Sequence, residues 1–164
     1  MHPLKRQAGL AYLAFLCAVA ILGAVLALIG TVWSTAQQRE KERELLFIGH
    51  QFRQAIALYY ERSPGYIKHY PPDLKDLLRD DRQVAMARYL RKVYVDPMTL
   101  TSDWGVIRAT DGGIMGVYSK SPARPIKQAN FSTADSGFES AASYGQWRFI
   151  YADSEPQAVP KSAN

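Results

Sequence analysis

Only a few groupings of side chains in this chain have the types and spacing that chemistry could use. Asp73 and Asp76 form a carboxylate pair of the kind that serves general acid–base catalysis. Near the start of a short helix, however, such acids act as partners of the helix dipole. His50 and His69 stand far apart, with no third ligand close in sequence, which argues against a metal site. Ser119, Lys120 and Ser121 contain the parts of a serine–lysine nucleophile, and equally the composition of a turn at a strand end. Gly112, Gly113 and Gly116 lack the lysine and hydroxyl of a phosphate-binding loop. Cys17 is the single cysteine, so disulfide frameworks and cysteine-based zinc sites are excluded. The expectation is a protein that is not an enzyme and that uses no cofactor and no metal.

The elements that must carry these residues are constrained by length and charge. The chain has 164 residues, enough for one domain with a modest core. Its formal charge is +5, but Lys5 and Arg6 supply two of the cations, and from Arg39 onward the excess is only +3. Gripping nucleic acid would take a larger, clustered excess, so no nucleic-acid partner is expected.

Between Arg6 and Arg39 there is no Asp, Glu, Lys, Arg or His, and residues 8–33 read AGLAYLAFLCAVAILGAVLALIGTVW. About 20 such residues cross a bilayer as a helix, and the stretch exceeds the apolar core of a secretory signal. Lys5 and Arg6 precede it, while the run from Arg39 to Glu44 is balanced in sign. The positive-inside bias therefore puts the N-terminus in the cytoplasm and the rest of the chain outside. Tyr12 and Trp33 lie near the two ends, where amphipathic aromatics favour the interface. Cys17 falls within the span and is expected to pack as a small apolar residue.

Beyond the span, opposite charges recur at i,i+3: Arg39 with Glu42, Glu40 with Arg43, Lys41 with Glu44. Leu45, Ile48, Phe52, Ala55, Ile56 and Tyr59 then recur at three and four, one apolar stripe on a helix. An uninterrupted helix over 10–62 would be about 80 Å long, and Ser63-Pro64-Gly65 ends it. Asp73–Arg79 is expected to form a short amphipathic helix behind Pro72, and Val84–Val93 a second. Asp96-Pro97 reads as a turn. Trp104–Ala109, Ile114–Ser119 and Trp147–Tyr151 are strand-like, with Asp111-Gly112-Gly113 as a hairpin turn. Residues 120–144 form a long Ser-, Ala- and Pro-rich loop, and 153–164 a disordered tail. The fold class is α+β: a long N-terminal transmembrane and amphipathic helix packed on two short helices and a small three-stranded antiparallel sheet.

This layout resembles the type IV pilin-like superfamily, and within it the major, G-type pseudopilins of type II secretion. The leader, residues 1–9, ends Lys5-Arg6-Gln7-Ala8-Gly9 and looks like a prepilin peptidase site, with cleavage between Gly9 and Leu10. Ala20-Ile21-Leu22-Gly23 fall where the family has an Ala-Ile-Ile-Gly stretch. Tyr70-Pro71-Pro72-Asp73-Leu74, Tyr89-Leu90-Arg91-Lys92, Asp96-Pro97, Trp104-Gly105, Val117-Tyr118-Ser119 and Gln146-Trp147 occur in the order seen in G-type proteins. The resemblance covers residues 5–151.

Three positions depart from the family. Its usual fifth mature residue is Glu, and here it is Ala14. Its usual first mature residue is Phe or Met, and here it is Leu10. The loop that holds calcium in G-type proteins runs Lys120-Ser121-Pro122-Ala123-Arg124-Pro125-Ile126-Lys127 here, with cations where carboxylates would be needed, so no calcium is expected. Small residues four apart, Ala20 with Ala24, Gly23 with Ala27 and Ala27 with Thr31, allow close helix approach in lipid. The organisation implied is leader 1–9, transmembrane half 10–33, amphipathic half 34–62, periplasmic α+β part 63–152 and tail 153–164. The resemblance implies a structural subunit in a bacterial inner membrane, with prepilin peptidase, other pseudopilin subunits, an inner-membrane assembly platform and the lipid bilayer as partners. Its helices would pack laterally into a filament that drives protein export, and Ala14 suggests a minor or specialised place in it. The rival expectation is a single-pass protein with a periplasmic binding or scaffold domain that never polymerises.

Overall fold

The computed structural model describes residues 7–82 and 86–152, with the backbone only for 7–9 and 26–32. Its first element, α1, is a helix over Gln7–Glu61. The absence of proline from 4 to 63 permits that length. The described residues fall into two units, divided between Glu40 and Lys41.

In the first unit the side chains of residues 10–25 are all exposed. Among the described residues no helix is long and apolar enough to cross a membrane. The expected span, 10–33, includes the side chains of 26–32, which lie outside the described residues, as do residues 1–6 of the leader and the tail 153–164.

The second unit begins with the amphipathic part of α1. Leu45, Ile48, Phe52, Ala55, Ile56 and Tyr59 are all buried, one stripe at helical spacing turned onto a core. The helix stops where Ser63 donates its hydroxyl to the Tyr59 carbonyl at 3.2 Å. Gly65 then adopts a φ of +83°, a conformation open to glycine without steric cost.

The sheet has the order β1-β2-β3, with β1 over Gly105–Arg108, β2 over Ile114–Tyr118 and β3 over Phe149–Ile150. All pairings are antiparallel, with Val106 opposite Val117 and Val117 opposite Phe149. Gly112 at φ +83° closes the hairpin, where Ala109 donates to the Gly113 carbonyl at 2.8 Å. A register shift at Ile107/Arg108 leaves Met115 as the extra residue of β2. The expected strands are present and shorter than their apolar runs, because their ends turn into loops.

The helical expectations outside α1 need correction. Leu74–Leu77 forms a single 3-10 turn instead of a two-turn helix. Met86–Val93, the described part of the second helical candidate, contains no helix. Ala87 forms an isolated antiparallel bridge with Asp80, and Tyr89 and Leu90 both donate to the Leu77 carbonyl. The three-and-four spacing of Met86, Tyr89 and Leu90 is met by an irregular segment in which Leu90 is buried, Tyr89 half-buried and Met86 exposed. The long loop is also more ordered than its composition suggests. It carries 3-10 turns at Thr133–Phe138 and Tyr144–Gln146, and Phe138, Tyr144 and Trp147 join the core. The Phe138 and Trp147 rings stack at 5.7 Å, and Tyr144 meets Trp147 edge-on at 5.3 Å.

Candidate functional site

The residues that the sequence points to for assembly lie on the apolar part of α1. Leu10 is 70% exposed, and Ala14, Ala20 and Gly23 stand on the same uncovered stretch. A methyl group built on Gly23 would meet nothing within 4 Å. Gly9 is helical in backbone, and its surroundings, like those of Ala27, lie outside the described side chains. Tyr12, Phe15, Ile21 and Leu22 are exposed beside them. Water penalises such surface by roughly 25 cal/mol for each Å².

In the second unit, acids hold the elements together. Glu42, which stands at i,i+3 from Arg39, turns instead to the loop 120–144. Its side chain is buried, accepts the backbone N–H of Ile126 at 2.5 Å and of Lys127 at 3.3 Å, and takes the Tyr144 hydroxyl at 2.8 Å. Successive amides aimed at one carboxylate satisfy it as an anion nest does. This carboxylate pins the loop 120–144 to α1, with the loop backbone supplying donors. Among the described residues no group of three or more His, Cys, Asp or Glu could hold a metal ion.

Asp80 and Arg82 close the far end of α1. Asp80 is 2% exposed and accepts Arg82 Nε and Nη2, both at 2.8 Å, and the Tyr89 hydroxyl at 3.0 Å. The same guanidinium donates to the Tyr59 carbonyl at 3.0 Å and to Ser63 Oγ at 2.9 Å, and lies 3.5 Å from the Tyr59 ring centroid. A cation thus satisfies a carbonyl left open at a helix C-terminus. The bonds from Arg82 outweigh the effect of burial and hold the Asp80 carboxyl at about 2. Nothing in the sequence pattern marked either residue, because a lone Asp-x-Arg is indistinguishable from surface charge.

A third acid, Asp135, ties the long loop to the middle of α1. It accepts His50 Nε2 at 2.7 Å, Arg53 Nη2 at 2.9 Å and the Ser132 hydroxyl at 2.8 Å. Burial pushes its carboxyl up, and the hydrogen bonds from Ser132, His50 and Arg53 more than reverse that, leaving it below the usual range. A fourth, Asp96, is fully buried in its turn, with the Ser119 hydroxyl at 2.6 Å and the Met98 amide at 2.8 Å.

These contacts also locate the other residues singled out for chemistry. Asp73 and Asp76 build a capping box, Asp73 accepting from the Lys75 amide and Asp76 from the Asp73 amide. Ser119 is bound to Asp96 and Lys120 to Asp103, so serine and lysine are not brought together. His50 belongs to Asp135, while His69 Nδ1 lies 3.9 Å from Asp111. A cleft of about 460 Å³ beside Tyr59, Ser63, His69, Tyr70, Arg82 and Asp111 is lined by groups already committed to these structural bonds. No known protein family, curated protein or solved structure matches this chain.

Proposed function

We propose that this chain is a structural, pseudopilin-like subunit anchored in a bacterial inner membrane, with its α+β part on the periplasmic side. One observation carries the reading. A stretch without a charged residue, 7–38, and the apolar stripe that seats the α+β core belong to the same helix, α1. The exposed side chains of 10–25 are then in place for lipid before assembly and for neighbouring helices after it.

In this reading prepilin peptidase cuts between Gly9 and Leu10, and lateral packing through Ala20, Gly23 and Ala27 builds a short filament on an assembly platform. The filament drives protein export. A carboxylate at the fifth mature position would neutralise a neighbour's amino terminus in lipid, where an unpaired charge is expensive. Ala14 cannot do this, which suits a specialised place such as a filament end, where one neighbour is missing.

The test is mass spectrometry of the membrane-extracted chain from cells with and without prepilin peptidase. A mature N-terminus at Leu10 that depends on the peptidase is expected. An N-terminus at Met1 in both strains would instead indicate a membrane-anchored protein that never polymerises.

A further inference from the structure

Against the α+β core, on the side of α1 that carries Phe47 and Gln51, lies an open groove of about 650 Å³, closed on its other side by Arg88, Tyr89, Leu90, Arg91 and Tyr94. This size falls within the range of sites that take small ligands or short segments. Three features set it apart from ordinary surface.

The first is charge. Arg88 donates only to the Arg91 carbonyl, at 3.1 Å, Arg91 has no acid partner among the described residues, and Lys92 lies over the Tyr94 ring at 5.4 Å. Arg53, Arg79, Arg82 and Lys120 in this unit are instead paired with Asp135, Asp81, Asp80 and Asp103. The second is apolar surface. Phe47 is 59% exposed on a helix whose neighbouring Leu45, Ile48 and Phe52 are buried. The third is the backbone. Of the residues lining the groove, Arg91 and Tyr94 have backbone N–H groups with no hydrogen-bond partner among the described residues, and neither has the Gln51 side chain. Open amides beside two arginines make a surface suited to a main chain that brings carboxylates with it.

We infer that this groove binds an extended acidic peptide segment of a partner polypeptide. Arg88 and Arg91 take its carboxylates, the amides of Arg91 and Tyr94 and the Gln51 side chain pair with its backbone, and Phe47 with Tyr94 covers an apolar residue between the acids. Main-chain pairing supplies affinity in this mode, and side-chain pockets with fixed charges supply selection. The inference is independent of whether the chain polymerises.

Fluorescence anisotropy on the full chain in detergent micelles tests it. The probe is a fluorescein-labelled Glu-Val-Glu-Phe-Glu-Val peptide, set against its Lys-for-Glu counterpart, a form N-methylated at alternate amides, and a short oligothymidylate. Saturable binding of the acidic peptide alone is expected, weakened at least tenfold by the double variant Arg88→Gln/Arg91→Gln, severalfold by Phe47→Ala, and severalfold by N-methylation. All three substitutions are at exposed side chains, and an unchanged circular dichroism spectrum confirms the fold. Absence of saturation overturns the inference, as does equal binding of the parent and N-methylated peptides, which would reduce the contact to charge attraction. Equal, arginine-dependent binding of oligothymidylate overturns it too, in favour of a general anion surface.

Discussion

At the scale of single residues, the second unit is held by carboxylates buried against donors from distant parts of the chain. Asp80 makes the sharpest case. Its folded carboxyl titrates near 2 rather than 3.8, so its contribution is fully present above about pH 4 and is lost as pH falls through about 2. Asp135 is lowered as well and contributes in the same sense. Replacing Asp80 by Asn should flatten the pH dependence of unfolding between about pH 4 and 2, measured by urea titration with tryptophan fluorescence. It also removes the charge paired with the Arg82 guanidinium, which keeps the Tyr59 carbonyl and Ser63 Oγ, and a loss of about 1–3 kcal/mol at neutral pH is expected. An Asn variant with the same acid slope as the parent would show that Asp80 is not the linked group. Leu100 offers the opposite case. It sits at a φ of 58° with 71% of its surface exposed, a conformation that disfavours any side chain with a Cβ. Leu100→Gly should therefore be neutral or stabilising by up to about 1 kcal/mol, where the same change in an ordinary loop would destabilise.

At the scale of elements, α1 is recognised by the sheet through close contact. Gly49 packs against the Phe149 ring of β3, so a methyl group there would collide with a buried aromatic side chain. Alanine is the better helix former by about 1 kcal/mol. Gly49→Ala should nonetheless destabilise the protein by about 1–3 kcal/mol, because Phe149 is enclosed by Phe138 and the helix and has no free direction to move. A rise in the unfolding midpoint would refute this picture of the helix–sheet contact. Glu42 plays the corresponding part between α1 and the loop 120–144. Glu42→Gln keeps the shape but gives up one acceptor and the charge that two amides and Tyr144 address, and should loosen the loop. Faster amide hydrogen exchange at Ile126 and Lys127, with that at β2 unchanged, is the expected signature.

At the scale of the whole molecule, the reading as a membrane-anchored assembly subunit rests on the apolar part of α1. The chain should resist alkaline carbonate extraction and yield to detergent. Recovery in the carbonate supernatant would remove the anchor from the proposal. Ala14→Glu should raise recruitment into filaments if the missing acid restricts the chain to a specialised position, read as crosslinked ladders in membranes. Unchanged ladders would leave the specialised role without support.

Periodicity was enough to place α1, its buried stripe, the hairpin at Asp111-Gly112-Gly113 and the three strands, since each depends on neighbours within a few residues and on steric preferences that a local stretch already carries. The uncharged run before Arg39 was equally plain to read. The irregular elements were not: Leu74–Leu77 closed as one 3-10 turn and Met86–Val93 formed no helix, because backbone bonds to Leu77 and Asp80 competed with local helical spacing and won. Nor could the sequence tell which charges would be buried. Glu42, Asp80, Asp96 and Asp135 look like any surface acid until residues up to a hundred positions away deliver donors to them. Whether a charge lies in water or in the core depends on long-range pairing, and that pairing exists only once the chain has folded.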